Sequence, residues 1–142
     1  MKLGLISAIL GDLNFEEMID FLAECGLECV EVACWPKGKA ERRYAGVSHI
    51  DVDTLDDEKC AHILDYCQKK GVEISSLAYY PNTMEPDVEK RTAYIEHLHK
   101  LIDASAKLGV NMITTFIGRD PKKTVSQNLE LVKEIWPPIL DH

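Results

Sequence analysis

Three short phrases of one pattern recur along the chain: Gly26-Leu27-Glu28-Cys29-Val30, Gly71-Val72-Glu73-Ile74-Ser75 and Gly109-Val110-Asn111-Met112-Ile113. Each closes a helical pattern and opens an apolar run. Glycine takes the left-handed backbone conformation without a Cβ clash, so it ends a helix and lets the chain turn into a strand. The glycines stand 45 and 38 residues apart, which fits repeated strand–helix units of roughly 35 residues. Such a repeat builds a parallel sheet, because each crossover helix carries the chain back to the same end of the sheet.

The segments between the glycines carry helical periodicity. In the first helix Phe15, Met18, Ile19, Leu22 and Cys25 form one apolar stripe. Asn14 with Glu17 makes a start related to the capping box. In the second helix Cys60, Ile63, Leu64 and Cys67 form the stripe, and Lys69-Lys70 suits the negative end of the helix dipole. The third spans about 88–108, with Tyr94, Leu98, Leu101, Ile102, Ser105 and Leu108 inward. In the fourth, Thr124 and Gln127 form a capping box and Val125, Leu129, Val132 and Ile135 face inward. Pro137-Pro138 is expected to interrupt or kink that helix, because proline cannot donate to the ladder. Strands are expected over 2–8, 29–33, 73–78 and 111–116, all short and apolar.

The reading is therefore α/β, a single (β/α)4 unit over 1–142 with no internal linker. A (β/α)8 barrel needs eight such units in about 250 residues, so these four are expected to form the N-terminal half of a TIM barrel. A small doubly wound parallel sheet is the alternative, and local pattern alone does not decide between them.

Charge and cysteines narrow the partners. Sixteen basic against 24 acidic residues leave a net charge of −8, which repels phosphate backbones and anionic lipid heads. No nucleic acid partner is expected. No apolar run approaches the ~20 residues of a membrane helix, so no membrane partner is expected either. The opening Met1–Ile6 resembles a signal peptide only until Gly11-Asp12, and it reads better as a strand. The five cysteines form no Cys-x-x-Cys pair. They are expected to be buried free thiols in a reducing cytoplasm.

In either architecture a ligand site lies beyond the carboxyl ends of the strands. After the second strand come Trp35 and a long loop holding Arg42, Arg43 and His49; after the third, Tyr79, Tyr80 and Asn82; after the fourth, Gly118-Arg119-Asp120. Trp35, Tyr79 and Tyr80 are planes with polar tips, suited to stacking on a sugar-like ring or to anchoring a loop. His49 is a polar contact, an acid–base group or a plain loop residue. Asn82 binds or makes a turn. Arg119 presents a guanidinium to a substrate oxygen or anion, or pairs with Asp120 to stiffen the loop. His62, His97 and His99 read as helix-surface residues. Dinucleotide, P-loop, hydrolase-elbow and zincin motifs are all absent.

Taken in order, Lys2-Leu3-Gly4-Leu5-Ile6-Ser7, the Gly26–Val32 turn, Ser48-His49-Ile50-Asp51-Val52-Asp53, Leu77-Ala78-Tyr79-Tyr80-Pro81-Asn82 and Thr115-Phe116-Ile117-Gly118-Arg119-Asp120 resemble the sugar phosphate isomerase/epimerase family. These are the xylose-isomerase-like TIM barrels, which also include apurinic endonuclease relatives. The resemblance covers the whole chain but only the first half of a family barrel. It implies a divalent metal, Mn²⁺ or Mg²⁺, that polarises oxygens of a sugar or sugar phosphate while carboxylates act as base and acid. In the epimerase-type members the metal ligands come from the ends of strands five to eight, so no metal or catalytic residue carries over to this chain. Trp35, His49, Tyr79, Asn82 and Arg119 resemble the substrate-cradling positions of the first half. The endonuclease branch takes metal histidines from the ends of strands three and four, where this chain has Tyr79-Tyr80 and Ile117-Gly118. With the acidic charge, that disfavours a nuclease.

The resemblance thus implies a truncated isomerase/epimerase that supplies cradling loops, with the metal and acid–base carboxylates in a missing second half. Open strand edges are expected to make the chain self-associate or pair with that half. The alternative is a non-catalytic α/β module that binds a small ligand or a partner.

Overall fold

All three glycines of the repeat take the left-handed conformation, with φ of 69°, 71° and 66° at Gly26, Gly71 and Gly109. The computed structural model describes residues 1–38 and 44–142. Arg42 and Arg43 lie outside the described residues. The elements are β1 (Gly4–Ile6), a 3-10 turn (Ser7–Leu10), α1 (Phe15–Glu24), β2 (Cys29–Ala33), α2 (Asp57–Lys70), β3 (Glu73–Ala78), α3 (Val88–Leu108), β4 (Ile113–Thr114) and α4 (Val125–Leu140). Asn14–Glu17 and Thr124–Gln127 form reciprocal capping boxes at the starts of α1 and α4. Asp56 and Asp87 cap α2 and α3 with their side chains, satisfying N–H groups that the first helical turn leaves open.

The sheet order is β1-β2-β3-β4, with every pair parallel. A doubly wound sheet reverses its strand order at a switch point; this order never reverses. The four parallel strands and four helices have the arrangement of half a TIM barrel. One face of the sheet carries Val30, Val32, Ile74, Leu77 and Tyr79 into a core shared with Met18, Ile19 and Leu22 of α1, Ile63 and Cys67 of α2 and Leu98 and Leu101 of α3. A β-bulge interrupts the β2–β3 ladder, where Val30 faces Ile74 but Glu31 faces Ser76. Ser75 is the extra residue, and its hydroxyl donates to the Val30 carbonyl at 3.0 Å. The bulge turns Leu77 and Tyr79 to the core side, leaving Ser76 and Tyr80 on the side of Glu31.

Several expectations need correction. The first strand ends at Ile6, not at residue 8. The Ser7 hydroxyl accepts the Ala33 N–H at 2.8 Å, so a side chain replaces the next rung of the ladder. The fourth strand shortens to two residues, because among the described residues only β3 pairs with it. The two prolines do not interrupt α4, which runs through both. The carbonyls they leave without donors belong to Lys133 and Glu134, which are exposed and open to water. Leu64, Val125 and Leu129, expected inward, are exposed. Cys25 is an exposed C-cap, Cys29 is half-buried, and only Cys34, Cys60 and Cys67 are buried. Burial pushes the Cys34 thiol up to about 12 and the Cys67 thiol up to about 11. His97 is buried and not on the helix surface; its Nε2 faces the Cys34 carbonyl at 2.8 Å and so carries the proton.

Candidate functional site

The loops at the carboxyl ends of β2, β3 and β4 hold all five candidate residues, but the side chains do different work. Tyr79 is 1% exposed. Its ring lies edge-on to Trp35 at 4.9 Å and to His97 at 4.6 Å. Through this stack and the His97 hydrogen bond, α3 holds the start of the loop after β2. Trp35 is half-buried, packed against the core on one side.

His49 is tied at both ring nitrogens. Nε2 faces the Leu10 carbonyl at 3.2 Å and Nδ1 faces the Ser7 hydroxyl at 3.0 Å. A carbonyl only accepts, so the proton is assigned to Nε2, and Nδ1 accepts from Ser7. With a neutral imidazole the hydrogen bonds run in one direction, from the Ala33 N–H through Ser7 and His49 to the Leu10 carbonyl. Burial holds the His49 pKa below its ordinary value, partly offset by the Leu10 and Leu13 backbone. A histidine with a lowered folded pKa contributes its stability above the unfolded pKa of about 6.5 and loses it as pH falls toward the folded pKa. His99, lowered first by burial and then by His142, acts in the same direction. We expect urea denaturation to show lower stability at pH 5 than at pH 7. His49→Gln should remove part of that slope, and an unchanged slope would exclude His49 as its source.

Asn82 and Arg119 come together. The Asn82 Oδ1 accepts the Arg119 N–H at 2.9 Å, and Nδ2 donates to the Arg119 carbonyl at 3.0 Å. Among the described residues the Arg119 guanidinium makes no hydrogen bond or ion pair. Asp120 is no partner for it. Its carboxylate is buried and accepts the Lys122 N–H at 2.9 Å. Beside this loop lies a crevice of about 310 Å³ lined by Pro81, Asn82, Phe116, Gly118, Arg119 and Pro121. A larger groove of about 490 Å³ lies at the other end of the strands, bordered by Lys2, Glu73 and Val110. In barrels that end serves stability and the carboxyl end serves chemistry, so the smaller crevice is the functional candidate.

Sequence reasoning gave no role to Glu31, Ser76 or Phe116 here. Glu31 stands in β2 on the face opposite the core. It accepts from the Tyr80 hydroxyl at one carboxylate oxygen and from Ser76 Oγ at the other, the latter at 3.3 Å. Burial, with the Glu31 carboxylate, pushes the Tyr80 phenol pKa up. The Tyr80 ring lies 4.7 Å from Phe116, which is 54% exposed at the end of β4. The one available signal was a carboxylate in the middle of an otherwise apolar strand.

A family model described as a xylose isomerase-like TIM barrel matches residues 19–142. The chain belongs to this family. No curated protein matches it. Among solved structures it is similar to the probable 3-DHS dehydratase AsbF, involved in petrobactin synthesis, from Bacillus anthracis, at 17% identity and a TM-score of 0.68, covering 100% of this chain and 49% of that one. It is also similar to D-psicose 3-epimerase from Clostridium cellulolyticum, solved with D-tagatose, at 18% identity, a TM-score of 0.63 and coverage of 99% and 49%. A sugar phosphate isomerase/epimerase from Parabacteroides distasonis aligns at 20% identity, a TM-score of 0.60 and coverage of 97% and 46%. The chain thus spans about half the length of these structures. At these identities the likeness concerns the fold.

The metal that the family implies finds no fit in the described residues. Among them no group of three or more His, Cys, Asp or Glu side chains is placed to hold an ion. No described helix is long and apolar enough to cross a membrane.

Proposed function

We propose that this xylose isomerase-like chain contributes one (β/α)4 half of a sugar or sugar-phosphate isomerase/epimerase. It supplies substrate-cradling loops, and a complementary half supplies the divalent metal site and the acid–base carboxylates. The observation that carries this reading is the crevice at the carboxyl ends of β3 and β4, where Phe116 and Arg119 are exposed while Asn82 holds the loop. Within the cradle, Trp35 and Arg119 offer side-chain surface to the ligand. His49, Tyr79 and Asn82 fix the loops that carry them.

The need for a complementary half rests on the sheet. In the described residues β1 and β4 each pair on one side only, and Met112, Phe116 and Ile117 are exposed around β4. Such an edge favours pairing with another chain or segment.

Titration with D-fructose, a ketohexose, followed by amide NMR tests the reading. Perturbations are expected in the loops after β2, β3 and β4. No perturbation, or one confined to the groove near Lys2 and Val110, would overturn it. The 142-residue chain supplied with Mn²⁺ is expected to form no epimerised product, and product formation would place the chemistry in this half.

A further inference from the structure

The loop after β4 is fixed along its backbone by side chains from elsewhere. Thr83 Oγ1 donates to the Ile117 carbonyl at 2.7 Å. Asn82 takes both the N–H and the carbonyl of Arg119, at 2.9 and 3.0 Å. Asn128 does the same for Asp120, accepting its N–H at 2.8 Å and donating to its carbonyl at 3.1 Å. Gly118 completes the clamp. Its φ is +78°, and a Cβ there would lie 2.0 Å from Asn82 Oδ1. Only glycine permits both the left-handed turn and the close approach.

The four residues 117–120 are thus anchored from α4 and from the loop after β3, while the side chain between the two clamps is left free. The Asp120 carboxylate, the nearest negative group in sequence, is buried and turned to the Lys122 N–H. It does not neutralise Arg119. The protein as a whole carries a net charge of −8, so its general field repels anions. Any affinity for an anion must come from a local cation. The fixed backbone sets where the side chain starts, beside the crevice, and the guanidinium presents a planar fork that matches a carboxylate or a phosphate. Phe116 in the same crevice offers an apolar plane for the carbon skeleton of the ligand.

We infer that this crevice binds a sugar-class ligand carrying an oxyanion, a carboxylate or a phosphate, through Arg119. Asn82 acts as the positioning residue that aims it. This rests on the proposed function, since it assigns a charge to the ligand of the same loops. D-fructose 6-phosphate, D-glucuronate, D-fructose and inorganic phosphate, titrated separately into the 142-residue chain and followed at the Gly118 and Arg119 amides, test it. One of the two anionic sugars is expected to bind about tenfold tighter than D-fructose, the gain of one charge-assisted pair. Whichever is tighter identifies the oxyanion.

Arg119→Gln should bring that ratio close to one. Asn82→Ala should also lower it, even where the thermal midpoint shifts little, which a purely structural role would not do. A wild-type ratio near one, or a ratio unmoved by Arg119→Gln, overturns the inference. So does inorganic phosphate binding as tightly as the sugar phosphate, which would mark bare anion attraction. If D-fructose still perturbs the carboxyl-end loops in those cases, the proposed function stands without the oxyanion. If no sugar does, both fall.

Discussion

Replacing Tyr79 by alanine should lower the unfolding free energy by about 3–5 kcal/mol, the range for losing a large buried aromatic ring. That is a large share of the ~5–15 kcal/mol that holds a typical domain folded. The ring is closed off from solvent and meets Trp35 and His97 at its edges. Aromatic pairs of this kind add about 0.5–1.5 kcal/mol beyond the area they bury. The cavity would open between α3 and the end of β2, where His97 holds the Cys34 carbonyl. Trp35→Ala, at a half-buried ring, should cost less. Urea midpoints at constant m-value measure both. A loss under about 1 kcal/mol for Tyr79→Ala would contradict the burial and return the ring to the ligand surface.

The fold was legible because its punctuation is chemical. Gly26, Gly71 and Gly109 mark three helix-to-strand turns, and Asn14–Glu17 and Thr124–Gln127 mark two helix starts. The choice between a barrel half and a doubly wound sheet was not legible. Strand order is a property of pairing, and no local pattern encodes it. The bulge at Ser75 was hidden for a related reason. Strict alternation through 73–78 places Ile74 and Leu77 on opposite faces, yet both enter the core once Ser75 is looped out. His97 was legible and was misread: with Leu101, Ala104 and Leu108 it forms a stripe at i, i+4, i+7 and i+11, and all four are buried.

The candidate site was half legible. The topology rule places Trp35, His49, Tyr79, Asn82 and Arg119 at one end of the sheet, and that follows from their positions after strands. Which side chains face a ligand depends on hydrogen bonds between loops far apart in sequence. Asn82 reaches Arg119 across 37 residues and His49 reaches Ser7 across 42. Nothing local in either loop announces its partner.

The same long-range wiring makes Gly4→Ala the most damaging small substitution we foresee. A Cβ at Gly4 would lie 2.2 Å from the Cys29 carbonyl oxygen and 2.7 Å from Cys29 Sγ. The thiol is a side-chain atom that a rotation can move, but the oxygen belongs to the backbone of β2. Strand β1 must therefore shift. Among the described residues it pairs with β2 alone, through rungs that begin where Glu28 N–H meets the Leu3 carbonyl at 2.9 Å. Overpacking costs about 1–3 kcal/mol where the surroundings resist, and we expect the upper part of that range. The damage should not stop at the strand. Moving β1 draws Ser7 away from the Ala33 N–H and from His49, so the loop after β2 loses its anchor to the first unit. Hydrogen exchange reads this directly. The Ala33 amide should lose protection in Gly4→Ala, while amides of α3 exchange as before or only as far as global stability falls. Retention of both Ala33 protection and stability would mean that β1 and β2 stand further apart than the 2.2 Å approach requires.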